Sequence, residues 1–279
     1  FEGPGASKGF EFFNQEIDFE KLGKETAESA ITMLNAKECP SGKMPVIIGN
    51  GFGGVIFHEA CGHSLEASAV SKNLSVFSNK LGTKIASDIV SAVDDGTIEG
   101  GWGSENFDDE GNPTHRNLLI KDGILTSYLI DPFNGRRMNA KENGASRRQS
   151  YKYEPTSRMS NTFILAGKST PEEIIKNTKF GLYAKKLGGG SVNPATGEFN
   201  FAANEAYIVE NGKISYPVKG ATLIGSGKEV LLKIDMIAND LLRAQGMCGA
   251  ASGSIPTDVG QPTIRVSEMT VGGRGEKIN

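Results

Sequence analysis

Apolar residues recur at helical spacing, with charges between them, over residues 17–36, and this predicts an amphipathic helix. The run Pro45-Val46-Ile47-Ile48-Gly49 predicts a short buried strand that leads through Gly49, Gly51, Gly53 and Gly54 into a second helix. Glycines ahead of a helix either admit a carboxylate or carbonyl to its first amides or make a tight turn; the spacing matches neither nucleotide fingerprint, which favours the turn. Alternation on both sides of Asp122-Gly123 predicts a hairpin over residues 117–130, and residues 162–166 read as another strand. Thr170, Pro171 and Glu173 occupy the N-cap, first-turn and capping-box positions of a short helix that runs to about Asn177. Residues 182–225 read as a meander broken at Gly188-Gly189-Gly190, at Asn193-Pro194 and at the Asn211-Gly212 turn. Helical spacing returns over residues 228–245, and residues 262–271 close the chain as a strand. Strands in succession, without alternating βαβ units, predict an α+β fold: a mostly antiparallel β-sheet with a few packed helices. No repeat period and no linker-like segment divides residues 1–279.

Composition narrows the function classes. The chain has 279 residues, enough to bury a substantial core, and no apolar stretch long enough for a transmembrane helix or shaped like a signal peptide. A formal net charge of −3 gives no global reason to bind nucleic acid or an anionic membrane. Thirty-six glycines are about 13% of the chain against a usual ~7%, which fits many tight turns and close backbone approaches. Three cysteines without C-x-x-C spacing imply neither a disulfide framework nor a zinc knuckle, and point to a reduced, cytoplasmic protein.

The candidate chemistry lies in Phe57-His58-Glu59-Ala60-Cys61-Gly62-His63, which holds two of the three histidines. In H-E-x-x-H the imidazoles stand one turn apart and bind zinc, while the Glu polarises the attacking water. Here the spacing is one residue longer, so on a regular α-helix the rings would diverge by about 140° instead of about 40°. A π-type turn absorbs the extra residue and restores convergence, and Gly62 would tolerate the distortion. A zinc hydrolase needs a third protein ligand, for which His115, a cysteine or a carboxylate are the candidates. His115 follows Asn112-Pro113-Thr114 in a polar loop and reads as solvent-exposed. Cys61 reads as a small core residue. Cys248 sits in Gln245-Gly246-Met247-Cys248-Gly249, read as a glycine-flanked turn after a helix, and is either a projecting thiolate or a buried core residue.

Beyond this segment the chain carries Gly123-Ile124-Leu125, Asn134-Gly135-Arg136-Arg137, Arg158-Met159-Ser160-Asn161-Thr162, Gly188-Gly189-Gly190 and Glu198-Phe199-Asn200-Phe201. It continues with Pro217-Val218-Lys219-Gly220-Ala221-Thr222-Leu223-Ile224-Gly225, Met247-Cys248-Gly249 and Val259-Gly260-Gln261-Pro262-Thr263. With these blocks in this order the chain resembles the TldD/PmbA family over nearly its whole length. The family has two subunit types, one a zinc peptidase with the histidine motif and the other a partner without it. The presence of His58, Glu59 and His63 makes this chain similar to the TldD type. The resemblance implies that His58, His63 and Cys248 are metal ligands and Glu59 the general base. It also implies a C-terminal metallopeptidase domain over residues 1–279 without the family's N-terminal domain, since the chain starts at Phe1 and not Met. Short or unfolded peptides would be its substrates, and a related TldD/PmbA-type subunit its partner in a homo- or hetero-oligomer. The family also carries an old label as modulators of DNA gyrase.

Two charge clusters complete the reading. Asp94, Asp95, Glu99, Glu105, Asp108, Asp109 and Glu110 form an acidic stretch, whose Asp108-Asp109-Glu110-Gly111 lacks EF-hand spacing. Arg136, Arg137, Lys141, Arg147, Arg148, Lys152 and Arg158 form a basic one, interleaved with Tyr151 and Tyr153. Such interleaving suits single-stranded nucleic acid, but the acidic overall balance ranks that reading below a solvated surface, pairing with the acidic loop in a subunit contact, or reception of peptide carboxylates and carbonyls. The leading function is a zinc-dependent peptidase, in which an extended peptide could add to a sheet edge. The alternative is a non-catalytic assembly subunit.

Overall fold

The computed structural model describes residues 2–193 and 196–278. The fold is α+β. Five strands, Gly42–Ile48, Phe180–Val192, Glu198–Glu210, Thr222–Ser226 and Ile264–Gly272, pair in a closed ring, so this part of the sheet has no free edge. Ile234–Ile237 and Lys213–Lys219 extend it, the latter pairing in turn with Lys37–Glu38. A second, six-stranded sheet runs in the order Leu242–Ala250, Gly253–Gln261, Asn161–Ile164, Ala92–Asp95, Arg116–Lys121, Ile124–Leu125. Its first strand, Leu242–Ala250, is an edge. The antiparallel expectation holds in part: Gly42–Ile48 runs parallel to Phe180–Val192, Gly253–Gln261 to Asn161–Ile164, and Lys37–Glu38 to Lys213–Lys219.

Several turns follow directly from their residues. Asp122-Gly123 and Asn211-Gly212 all adopt positive φ (48° and 80°, 53° and 74°), which is what a two-residue hairpin of right-handed strands requires and Asx-Gly pairs supply cheaply. Thr170 and Glu173 form the reciprocal capping box of the helix Pro171–Lys176. The helix Phe19–Leu34 lies within the expected 17–36 span; none of its residues is buried, and it is tied to the ring by Ser29 donating to the buried Glu205.

Elsewhere long-range pairing overrides the local pattern. Gly188, Gly189 and Gly190 do not end a strand; they lie inside Phe180–Val192, where the pairing with Glu198–Glu210 shifts register as the strand bends around the ring. The expected break at Asn193-Pro194 falls partly outside the described residues, which exclude Pro194. The helix expected over residues 228–245 is confined to Gly227–Leu232, because Ile234–Ile237 finds a partner in Ile264–Gly272 and Leu242 to Gln245 pair with Gly253–Gln261. Cys248 is therefore in a strand and not in a turn. No helix among the described residues is long and apolar enough to cross a membrane.

The segment from Gly51 to Leu65 is clamped between the ring and the second sheet, touching Phe180–Val192 and Glu198–Glu210 on one side and Asn161–Ile164 and Gly253–Gln261 on the other. Phe57, Cys61 and Leu65 are buried in the shared core, and burying a Phe or Leu of this kind contributes about 1.5–3 kcal/mol. The glycines ahead of the motif make a 3₁₀ turn, Gly51–Gly54, and the closest approach to it is by the chain itself. A Cβ at Gly54 would lie 2.4 Å from the Gly260 carbonyl carbon, a backbone atom that cannot swing aside. Gly54→Ala is accordingly expected to cost about 1–3 kcal/mol, the usual penalty of overpacking, seen as a lower urea midpoint at unchanged slope.

Candidate metal centre

The extra residue between the histidines is absorbed as the spacing requires. Val55–Phe57 is α-helical, His58–Gly62 is a π-helix, and His63–Leu65 is a 3₁₀ turn. The defining bond is the His63 N–H donating to the His58 carbonyl, an i+5 to i closure. Gly62 is not there for unusual dihedrals, since its φ of −51° and ψ of −56° suit any residue. It is there for space: a Cβ would sit 2.1 Å from the Met159 Sδ.

The π-turn brings both rings to one side, with centroids 5.0 Å apart and planes at 83°. Cys248 reaches the same point from the edge strand, its Sγ 3.2 Å from His58 Nε2 and 3.3 Å from His63 Nε2. All three donor atoms lie within 4.8 Å of one another. Tetrahedral zinc with ordinary Zn–N and Zn–S bonds would hold N and S about 3.6 Å apart, within a few tenths of an ångström of the two N–S separations here. Glu59 projects from the π-turn with Oε2 3.9 Å from His63 Nε2.

The electrostatics differ between the two imidazoles. Burial holds His58 well below the ordinary histidine range, aided by the positive charge of His63 and Arg158, so its ring is neutral. Burial opposes charge on His63 too, but the Glu66 carboxylate and the hydrogen bond with Cys248 outweigh it and raise His63 well above the ordinary value. Burial also raises Glu59, with Glu66 adding to the effect and His63 opposing it. The other cysteines are ordinary core residues: burial pushes Cys39 up to about 11 and Cys61 higher still, which leaves both thiols protonated and inert.

His58, Glu59, His63 and Cys248 thus meet, and His115 does not join them; it is exposed, as expected. The basic cluster is corrected. Arg147 is buried and donates to the carbonyls of Met159 and Pro256, with Glu105 3.3 Å from its Nη2. Arg148 pairs with Asp109. Pairing with the acidic loop therefore occurs within the chain, and Arg147 and Arg158 are not presented to a nucleic acid or a peptide. Two residues at the centre were not expected there: Glu66, and Arg158, which the sequence placed only in the basic cluster. Glu66 is buried with Oε1 3.1 Å from His63 Nδ1, and Arg158 is fully buried with its Nη2 on the Cys248 carbonyl. The only local hint was a carboxylate three residues after His63.

Comparison with known proteins gives one consistent picture. A family profile described as the PmbA/TldA metallopeptidase C-terminal domain matches residues 41–273. A Haemophilus influenzae protein named as a metalloprotease TldD homolog is 45% identical over 277 residues, and one of the same name from Buchnera aphidicola is 43% identical over 279. Each alignment takes in 97% of this chain, which spans 58% of the relative's length. A Thermotoga maritima structure described as a candidate modulator of a DNA gyrase superposes with a TM-score of 0.79 at 27% identity, over 92% of this chain and 56% of that one.

Proposed function

We propose, from the premise that this chain belongs to the PmbA/TldD metallopeptidase family, that it carries the catalytic centre of a zinc-dependent peptidase acting on short or unfolded peptides. The observation that carries the reading is the convergence of His58 Nε2, His63 Nε2 and Cys248 Sγ beside the Glu59 carboxylate. Two imidazoles and a thiolate are a donor set suited to zinc, and three protein ligands leave a position open, as catalytic sites do. When bound there, zinc lowers the pKa of its water towards neutrality and polarises the scissile carbonyl.

The remaining steps belong to the chain. Glu59 takes the proton of the attacking water and returns it to the leaving amine, for which a carboxylate lifted from its ordinary range by burial is better matched than an exposed one. Cys248 lies on the edge strand Leu242–Ala250, so an extended peptide that adds to this edge would pass the donors with its main chain held and its side chains largely unread. Two carbonyls of that edge are already engaged, Gly246 by Trp102 Nε1 and Cys248 by Arg158, which confines pairing to the groups between and beyond them. The test is chelation of the full-length protein followed by stoichiometric zinc. Hydrolysis of an unstructured polypeptide is expected to vanish and return. A protein that never hydrolyses it, with or without metal, would be the assembly subunit instead.

A further inference from the structure

We propose that Glu66 and Arg158 form one positioning device for the metal centre, Glu66 acting through the His63 imidazole and Arg158 through the hairpin that presents Cys248. The inference rests on the reading of His58, His63 and Cys248 as ligands.

To ligate a metal, His63 must give up the proton that Glu66 and Cys248 favour in the metal-free centre, and the neutral imidazole then has one donor and one acceptor nitrogen. With Glu66 Oε1 3.1 Å from His63 Nδ1, the proton belongs on Nδ1 and the Nε2 lone pair is turned towards Cys248 Sγ. His58 has no such support: its Nδ1 is buried with no hydrogen-bond partner among the described residues. Only one of the two rings is therefore held by a carboxylate.

Arg158 does the corresponding work for the sulfur. Its guanidinium, 0% exposed, donates from Nη2 to the Cys248 carbonyl at 2.5 Å, and from Nη1 to Ser252 Oγ at 2.7 Å and the Gly253 carbonyl at 3.0 Å. These three bonds grip the hairpin where Leu242–Ala250 turns into Gly253–Gln261 and set how far Cys248 reaches towards the π-turn. The third nitrogen, Nε, has no hydrogen-bond partner among the described residues and lies 3.8 Å from Oε1 of Glu66, beyond hydrogen-bond length but within ion-pair range. One carboxylate oxygen thus orients His63 and neutralises the buried cation that holds Cys248.

Nothing local could set this geometry, because His63 and Cys248 are 185 residues apart in the chain. A buried ion pair is a weak source of stability, since an apolar pair of similar volume is often as good. Its use here is to fix the distance between two ligands on separate elements.

The test uses the full-length protein with cobalt(II) as the metal probe, comparing wild type, Glu66→Gln, Arg158→Met and the double variant. Affinity is read by chelator competition, the sulfur bond by the thiolate-to-cobalt absorption, and folding by circular dichroism. Each single substitution is expected to weaken cobalt binding about 10–100-fold, the range for loss of an outer-shell partner. Arg158→Met should also diminish the thiolate band at saturating cobalt, and Glu66→Gln should alter the ligand-field bands with the thiolate band retained. Because the two residues act as one, the double variant should bind no worse than the weaker single one. Additive losses, or folded variants with wild-type affinity and spectra, overturn the proposal. If Arg158→Met does not fold, Glu66→Gln decides, with unchanged affinity and bands as the overturning result. A wild-type protein that takes up no cobalt would instead refute the metal reading beneath it.

Discussion

Glu59→Gln in the full-length protein is expected to retain its zinc and lose about 10²–10⁴-fold in peptide hydrolysis, the range that a positioned general base contributes. The substitution keeps the size of the side chain and leaves His58, His63 and Cys248 intact, so the donors that converge within 4.8 Å still meet. What it removes is a carboxylate 3.9 Å from His63 Nε2, which we propose as the acceptor for the proton of the attacking water. Zinc content is measured beside turnover so that loss of metal is not mistaken for loss of the base. Turnover retained at full zinc occupancy would take Glu59 out of the mechanism.

The second large effect concerns the third donor. Cys248→Ala is expected to weaken zinc binding by more than about 100-fold, beyond the upper end of what outer partners contribute, whereas His115→Ala should leave it unchanged. The contrast follows from placement. Cys248 Sγ stands 3.2 and 3.3 Å from the two Nε2 atoms, and His115 is exposed ahead of the strand Arg116–Lys121 and absent from the cluster. Chelator competition on both variants reads the difference directly. The reverse outcome would reassign the ligand and leave the peptidase reading standing.

The features legible in the sequence are those whose causes are local. The i,i+5 spacing of His58 and His63 demanded a π-turn for any shared ligand, and one is present at His58–Gly62. Asp122-Gly123, Asn211-Gly212 and the Thr170–Glu173 capping box read correctly because each satisfies its own dihedrals and hydrogen bonds. Residues 228–245 misled because their apolar spacing suits a helix, and pairing with Ile264–Gly272 and with the following strand Gly253–Gln261 draws residues 234–237 and 242–245 into sheets. Hairpin pairing with Ile255, seven residues on, moved Cys248 from an expected turn to a strand, without moving it from the cluster. Arg158 was illegible as a partner of Cys248 because 90 residues separate them. Its basic neighbourhood suggested a surface, whereas Arg147 and Arg158 are interior residues that bind the chain's own carbonyls.

Zinc K-edge X-ray absorption of the full-length protein, purified without added metal, tests the central claim most directly. One zinc per chain is expected, with one sulfur at about 2.3 Å and two imidazole nitrogens at about 2.0–2.1 Å in a four-coordinate shell. A shell without sulfur, or a protein that takes up no zinc even when it is supplied, would contradict the assignment of His58, His63 and Cys248.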